Sequence, residues 1–250
     1  MGKPTATRRR RADGRRANEL RPLEFTRHYT RFSPGSVLIR TGHTAVLCTA
    51  SVEESVPPWR AGKGVGWLTA EYDMLPGSTG ERRPRSRKKL DGRSTEIQRL
   101  IGRVLRAVVD YEALGERCIW LDCDVLQADG GTRTAAITGA YVALCDAVRW
   151  LQAEKRIRRS PILEPVAAVS VGKVDGRVLV DLDYPEDSRA EVDFNVAMTG
   201  SGKFVEVQGS AEGAPFTRAE LDKMLEASGR AIRQLMAGQK RALARRAKRG

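Results

Sequence analysis

DCDVLQADGGTRTAAITGA, residues 122–140, combines a short apolar strand, a double glycine and the start of a helix. Apolar side chains alternate from Leu121 to Val125, and the residues after Thr132 carry apolar side chains at helical spacing. The two glycines between these segments let the backbone take positive φ and approach a ligand closely. The first N–H groups of a helix have no partner inside it, and the helix dipole adds positive charge there. The segment therefore predicts a site for an anion at this turn.

Arg133 stands in the first turn of that predicted helix. A positive charge there opposes the helix dipole unless it faces an anion, and the planar fork of arginine suits phosphate. The alternative interpretation is a tight strand-to-helix turn, with Thr132 as the N-cap and Arg133 in solvent. The motif has neither the G-x-G-x-x-G nor the G-x-x-x-x-G-K-[ST] spacing, so a mononucleotide-binding ATPase is not expected.

The composition of the chain sets the class of partner. There are 44 lysine and arginine residues against 31 aspartate and glutamate residues, which gives a formal charge of +13. This excess predicts a polyanionic partner, most simply a nucleic acid. With 250 residues and 41% hydrophobic residues, the chain can bury a sizeable core. No apolar run reaches the roughly 18 residues of a membrane helix and no export signal is visible, so we expect a cytoplasmic protein without membrane contact.

Cysteine and histidine offer little for catalysis or metal binding. The four cysteines lie in apolar segments without a C-x-x-C pair, so we expect them to be reduced core residues. Only two histidines are present, His28 and His43, and neither has a plausible catalytic partner nearby in the sequence. A zinc site and histidine-based acid–base catalysis are therefore not expected.

Two segments before the glycine turn are also informative. Residues 76–92, PGSTGERRPRSRKKLDG, form a basic loop that is either a solvated connector or a functional loop. The following segment predicts an amphipathic helix, with Arg93 just before its start as a second basic residue at a helix N-terminus. The apolar stripe of this helix consists of Ile97, Leu100, Ile101, Val104, Leu105 and Val108.

The remaining patterns suggest two halves of similar composition. Two apolar runs around Thr41-Gly42 predict a hairpin in the first half. In the second half the pattern predicts strands at 167–171, 178–182, 192–197 and 204–207. A helix after Thr217 follows them and has a capping-box signature. The expected class is α+β, and internal pseudo-symmetry is left open because no repeat is evident in the sequence.

An acidic run stands out in this basic chain: DLDYPEDSRAEVD, residues 181–193. Strand alternation puts Glu191, Asp193 and Asn195 on one face, opposite apolar residues. Carboxylates of this kind suit Mg²⁺, and a carboxylic acid can protonate a leaving oxygen. An exposed hairpin end that balances nearby arginines would explain the same pattern.

Together, these segments resemble the ribonuclease PH family, the phosphate-dependent exoribonucleases that trim the 3′ ends of transfer RNA precursors. The resemblance covers nearly the whole chain. It implies an α+β fold of two related halves, like the second domain of ribosomal protein S5, and a ring-shaped homohexamer built as a trimer of dimers. The matching segments are RADGRRANELRP, SVLI, TASVEESVP, GWLTAEYDMLP, GRSTEIQRLIGRVLRAVVD, DCDVLQADGGTRTAAITGA and EDSRAEVDFNVAMTGSGKFVEVQG.

The resemblance also implies a reaction. Inorganic phosphate would attack the last phosphodiester of the RNA and release a nucleoside diphosphate, and the reverse reaction would add nucleotides. The expected partners are transfer RNA 3′ ends and other structured RNAs such as ribosomal RNA, and not DNA. The residues that match the family's phosphate site are Arg93, Gly131, Thr132 and Arg133. The residues that match its paired catalytic aspartates, associated with Mg²⁺, are Asp187 and Asp193.

The chain departs from the family pattern in two places. After the Met-Leu-Pro that ends at Pro76, members commonly continue with an arginine and an R-x-x-R-E-like stretch. Here Gly77 follows, the glutamate is missing and the loop is about two residues shorter. We therefore expect substrate preference or ring assembly to differ. The N-terminal extension is longer than usual, and we predict a basic extension at 1–12, a catalytic domain at 13–240 and a basic tail at 241–250.

Two other functions are compatible with parts of the pattern. An RNA-binding subunit could keep the fold and lack catalysis, although all the matched phosphate and aspartate positions are retained here. A basic ribosome-associated protein would share the charge but would not need the paired sites. Such a protein should show no phosphate-dependent protection against thermal unfolding.

Overall fold

The first half of the chain builds a sheet with the strand order β1-β2-β3-β5-β4. A computed structural model describes residues 10–85, 91–212 and 215–245. All neighbours in this sheet are antiparallel except β4 and β5, which run parallel. The elements of this half are β1 (Leu23–Arg27), β2 (Gly35–Thr41), β3 (Thr44–Glu53), β4 (Trp67–Met74), α1 (Gly92–Arg106), α2 (Tyr111–Leu114), β5 (Cys118–Gln127) and α3 (Thr132–Ala153).

The second half forms an antiparallel sheet with the order β7-β6-β8-β9. Its elements are β6 (Val166–Val174), β7 (Arg177–Val180), α4 (Tyr184–Asp187), β8 (Val192–Thr199), β9 (Phe204–Ala211) and α5 (Arg218–Ala244). The predicted α+β class is confirmed, as are the hairpin at Thr41-Gly42 and the capping box of Thr217 and Glu220 that begins α5.

Helices α3 and α5 each pack against strands of both sheets. Helix α3 contacts β2 and β3 of the first sheet and β6 of the second, and α5 contacts β1 as well as the second sheet. Almost every residue of α3 up to Val148 is buried, as expected for a helix that is apolar on all sides. All four cysteines are free and buried, which confirms their predicted place in the core.

Helix α1 begins and ends earlier than predicted. Asp91 is its N-cap, and the Asp91 side chain accepts a hydrogen bond from the N–H of Ser94 at 2.6 Å. Arg93 therefore lies in the first turn of the helix and not before it. The helix ends at Arg106, so Val108 lies beyond it, although its side chain is fully buried.

Described residues on the far side of both predicted domain boundaries contact the rest of the fold. Helix α5 continues to Ala244, and Arg27 donates hydrogen bonds to the carbonyls of Ala242 and Arg245 at its end. Arg11 falls in the predicted basic extension, yet its side chain is 1% exposed. Residues 1–9, 86–90 and 246–250, including parts of the predicted extension, basic loop and tail, lie outside the described residues. Within the described ranges, none of the helices has the length and apolar character needed to cross a bilayer.

Candidate active site

The double glycine forms the predicted turn between β5 and α3. Gly130 and Gly131 have φ values of +74° and +64°, which glycine adopts without strain. Gly131 is the N-cap of α3, and no side chain caps the helix. The alternative with Thr132 as N-cap is therefore wrong. The Thr132 hydroxyl is instead hydrogen-bonded to the buried hydroxyl of Tyr72 at 2.9 Å, so the first N–H groups of α3 have no side-chain cap.

Arg133 is held between the two halves of the molecule. Its side chain is 18% exposed, so it does not lie out in solvent. The Nη1 atom donates to Oε1 of Gln208 at 3.1 Å and lies 3.4 Å from both carboxylate oxygens of Glu96. Gln208 Nε2 also donates to Glu96 Oε1 at 3.0 Å. Because Glu96 belongs to α1 and Gln208 to β9, the guanidinium of Arg133 lies at the junction of the two halves.

Part of the acidic run is buried in ion pairs. Asp181 and Glu186 are nearly inaccessible to solvent. Arg21 Nη2 lies 2.6 Å from Asp181 Oδ1, and Arg11 Nε donates to Glu186 Oε1 at 2.7 Å. Arg15 lies beside both carboxylates. The interpretation of the run as an exposed hairpin end is therefore wrong.

The other two carboxylates of interest, Asp187 and Asp193, are half-buried and unpaired with these arginines. Asp187 ends α4, and Asp193 lies in β8 opposite Gly172 and Ser210. Burial, and to a lesser extent the nearby negative charge of Asp187, together raise the pKa of Asp193 to about 6. Burial likewise raises the pKa of Asp187. Among the described residues, Asp193 Oδ1 is a buried oxygen without a hydrogen-bond partner.

The phosphate-site candidates and the aspartates share one electrostatic environment. The positive charges of Arg93 and Arg133 oppose the upward pKa shifts of both Asp187 and Asp193. Arg93 itself is exposed at the start of α1. The four side chains therefore lie close enough to influence one another, as expected for groups at one site.

The glycine turn also contacts the acidic segment directly. The N–H of Tyr184 donates to Asp129 Oδ1 at 3.3 Å. A Cβ atom on Gly130 would lie 2.5 Å from the carbonyl oxygen of Leu182 and 2.9 Å from the Tyr184 nitrogen. Glycine is thus required at 130 both for its φ value and for this close approach. The contact brings the two predicted parts of the site together.

Replacing Gly130 by alanine is expected to destabilise the protein more than the same change at Gly176. Both glycines have positive φ, +74° and +71°, so both variants lose roughly 1–2 kcal/mol to backbone strain. Only at 130 would the new methyl group meet a neighbour, since a Cβ on Gly176 has nothing within 4 Å. Urea unfolding measures both losses, and equal losses would contradict a tight contact between the turn and the acidic segment.

The aspartate pair is compatible with Mg²⁺. No cluster of three or more histidine, cysteine, aspartate or glutamate side chains forms a ready-made metal site in the described part of the chain. Mg²⁺ is commonly held by only one or two carboxylates, with waters and substrate phosphates completing its shell. The unpartnered oxygen of Asp193 and the nearby negative charge of Asp187 fit two carboxylates that could hold one such cation together.

Three polar residues of this region escaped sequence reasoning from the residues alone. Glu96 and Gln208 contact Arg133 but lie 37 and 75 positions from it in the chain. Arg21 contacts the glycine turn from 108 positions away. Of these three residues, only Arg21 lies in a conspicuous sequence pattern. It belongs to a run of arginines and carboxylates immediately before the first strand, RADGRRANELRP.

Two family profiles match most of the chain. The first domain of the 3′ exoribonuclease family matches residues 19–149, and the second domain matches residues 164–231. The proteins named ribonuclease PH from Synechococcus sp. (strain JA-2-3B'a(2-13)) and Moorella thermoacetica are 58% and 57% identical to this chain. Each alignment covers 93% of this chain, with 97% of the first relative and 94% of the second.

A solved structure shares the fold at much lower identity. It is a chain of the Archaeoglobus fulgidus exosome with RNA bound to the active site. The TM-score is 0.78 at 21% identity, and the alignment covers 91% of this chain and 92% of the other. The arrangement of the two halves is therefore common to both proteins.

Proposed function

This chain belongs to the 3′ exoribonuclease family and is a phosphorolytic 3′-to-5′ exoribonuclease that processes transfer RNA, and we propose that its reaction takes place where the glycine turn meets the acidic segment. The family that the sequence motifs predicted is thus confirmed. The reaction consumes inorganic phosphate and releases nucleoside diphosphates. The contact between Gly130 and residues 182–184 is the single observation that carries the proposed location.

In this proposal the first half of the chain binds the attacking phosphate. The site consists of the guanidinium groups of Arg93 and Arg133 and the free N–H groups at the start of α3, near Gly131 and Thr132. The hydrogen bonds of Arg133 within the described residues use Nη1. The Nε and Nη2 atoms, on the other edge of the guanidinium, can therefore donate two parallel hydrogen bonds to phosphate.

Bound phosphate then acts as the nucleophile. Held in line with the last phosphodiester, it attacks the phosphorus atom, and the 3′ oxygen of the shortened RNA departs. Positioning replaces a bimolecular encounter, and together with electrostatic stabilisation it is the main contribution a protein can make to phosphoryl transfer. Because a phosphodiester is exchanged for a phosphoanhydride, the reaction is reversible and diphosphates add nucleotides when phosphate is scarce.

Asp187 and Asp193 carry the two remaining tasks. Their carboxylates would hold Mg²⁺, which when bound neutralises the charge of the surrounding phosphate oxygens. One of the two carboxyl groups gives a proton to the departing 3′ oxygen. Burial favours the neutral form of both carboxyl groups, which is the form that can donate this proton.

The proposal extends to partners and assembly. The substrates are transfer RNA 3′ ends and other structured RNAs, and DNA is not one of them. The chain acts in the cytoplasm as a homohexamer arranged as a trimer of dimers. The family membership supports this assembly, and the net charge of +13 supports the polyanionic substrate. Gly77 and the shortened basic loop after it are the features in which this chain would differ from its relatives.

The reaction is tested with a transfer RNA that carries extra 3′ nucleotides. The purified chain and Mg²⁺ are incubated with this RNA in phosphate buffer and, as a control, in sulfate buffer of equal ionic strength. We expect nucleoside diphosphates only in phosphate. Release of nucleoside monophosphates would mean hydrolysis and contradict the mechanism. A stable RNA complex without any release would favour an RNA-binding subunit without catalysis.

A further inference from the structure

Arg21 contacts both parts of the candidate site, yet it belongs to no predicted catalytic or phosphate-binding position. Its side chain is 4% exposed. The guanidinium donates to the carbonyl oxygens of Asp129 and Gly130 and to the carboxylate of Asp181. The backbone N–H of Arg21 donates to the other Asp181 oxygen at 2.8 Å. One residue thus contacts the glycine turn and the acidic segment at the same time.

The two segments that Arg21 joins belong to different halves of the molecule. Gly130 immediately precedes Gly131, the N-cap of α3. Asp181 lies directly after β7, and Asp187 follows six positions later at the end of α4. Asp181 also has a φ of +56°, a strained value for a residue other than glycine. Its N–H donates to the Ser170 carbonyl at 2.7 Å, so a backbone hydrogen bond ties the start of the acidic segment to β6.

Stability alone is a poor explanation for this arrangement. Burying an arginine and an aspartate costs desolvation free energy that their attraction only partly offsets, and well-packed apolar residues are often as stable. The planar fork of arginine, in contrast, fixes the distance and angle between the groups it joins. A buried arginine at this place is therefore better suited to setting geometry.

We propose that Arg21 is a positioning residue for phosphorolysis: by tying the Gly130 and Asp129 carbonyls to Asp181, it sets the distance between bound phosphate and the catalytic aspartates. Arg21 does not touch the substrate in this proposal, because its side chain is buried and both Nη atoms already donate to Asp181 and the two carbonyls. Its Nε is buried without a hydrogen-bond partner among the described residues. The inference rests on the proposed location of the reaction. A misplacement of about 1 Å can lower a rate about 10²-fold.

Arg21→Lys tests the proposal because lysine keeps the positive charge but lacks the planar guanidinium that joins the three groups. Arg27→Lys is the matched control. Arg27 also pairs with a buried carboxylate, Asp146, and donates to two backbone carbonyls, but at the far end of α5. Steady-state kinetics are measured for both variants with phosphate and RNA varied separately, and urea unfolding is measured in parallel.

For Arg21→Lys we expect a higher KM for phosphate and a lower kcat, with kcat/KM for phosphate reduced about 10²-fold and the KM for RNA unchanged. Arg27→Lys should lose comparable stability and keep the kinetic constants of the parent chain. A merely structural role for Arg21 would lower kcat in proportion to the folded fraction and leave the KM for phosphate unchanged. That result would overturn the proposal.

Asp181→Asn provides the second variant if Arg21→Lys fails to fold. Asparagine tolerates the positive φ at this position and keeps the shape of the side chain, but it loses the charge that holds Arg21. The same rise in KM for phosphate is expected, and an unchanged KM would again overturn the proposal. A parent chain that releases no diphosphates would overturn the proposed location of the reaction and this inference together. An active parent with unaffected variants would overturn the role of Arg21 alone.

Discussion

Replacing Asp193 by asparagine should lower turnover by on the order of 10² or more, as expected when a general acid or a metal-binding carboxylate is lost. Asparagine fills almost the same volume, so the strand pairs of Asp193 with Gly172 and Ser210 should persist. The substitution removes the carboxyl group. The amide that replaces it can neither donate the proton nor neutralise a cation. The effect should therefore appear in kcat, with the KM for RNA and the assembly state unchanged.

Asp175→Asn is the matched control for this prediction. Asp175 lies in the turn between β6 and β7 of the same sheet, its side chain is 74% exposed, and asparagine is well tolerated at its positive φ. We expect normal turnover for this variant. Single-turnover measurements at saturating phosphate and RNA compare the two proteins, and size-exclusion chromatography compares their assembly. Near-normal turnover of Asp193→Asn would remove Asp193 from the catalytic pair and return the acidic run to a structural role.

Local sequence patterns were sufficient for much of the fold. The hairpin at Thr41-Gly42, the apolar stripe of α1 and the glycine turn before α3 each depend on neighbouring residues, and each is present in the structure. The boundaries of α1 differed because the capping by Asp91 was not recognised. The acidic run was harder to interpret, because strand alternation describes only Val192 onwards, whereas residues 184–187 form a helical turn.

The interactions that organise the site could not be read from local patterns. Arg21 and Asp181 are 160 residues apart, and Glu96 and Gln208 are 112 residues apart. Such pairs depend on how the two halves pack, and many carboxylates in this chain could have paired with a given arginine. Family resemblance supplied the roles proposed for Arg93, Arg133, Asp187 and Asp193. The positioning contacts of Glu96 and Gln208 became evident only in the structure.

Replacing Arg133 by alanine should raise the KM for phosphate far more than the KM for RNA. Losing even one hydrogen bond to a charged ligand costs about 1.5–3 kcal/mol, which corresponds to a roughly 10- to 150-fold rise in the KM for phosphate. The fold should tolerate the change, because Glu96 and Gln208 stay hydrogen-bonded to each other and both are only half-buried. Phosphate should also protect the variant less against thermal unfolding, since the free energy of ligand binding adds to the stability of the folded state.

Arg149→Ala separates this effect from a general loss of positive charge. Arg149 lies on the same helix, 16 residues further along, and its side chain is 51% exposed. Both variants lose one charge from a chain of +13, so any long-range attraction of RNA should weaken equally in the two. Only Arg133→Ala should change the KM for phosphate, because only Arg133 stands at the N-terminus of α3 beside the glycine turn. Equal rises in the KM for phosphate and for RNA would show that Arg133 attracts polyanions in general, and its assignment to the phosphate site would then be wrong.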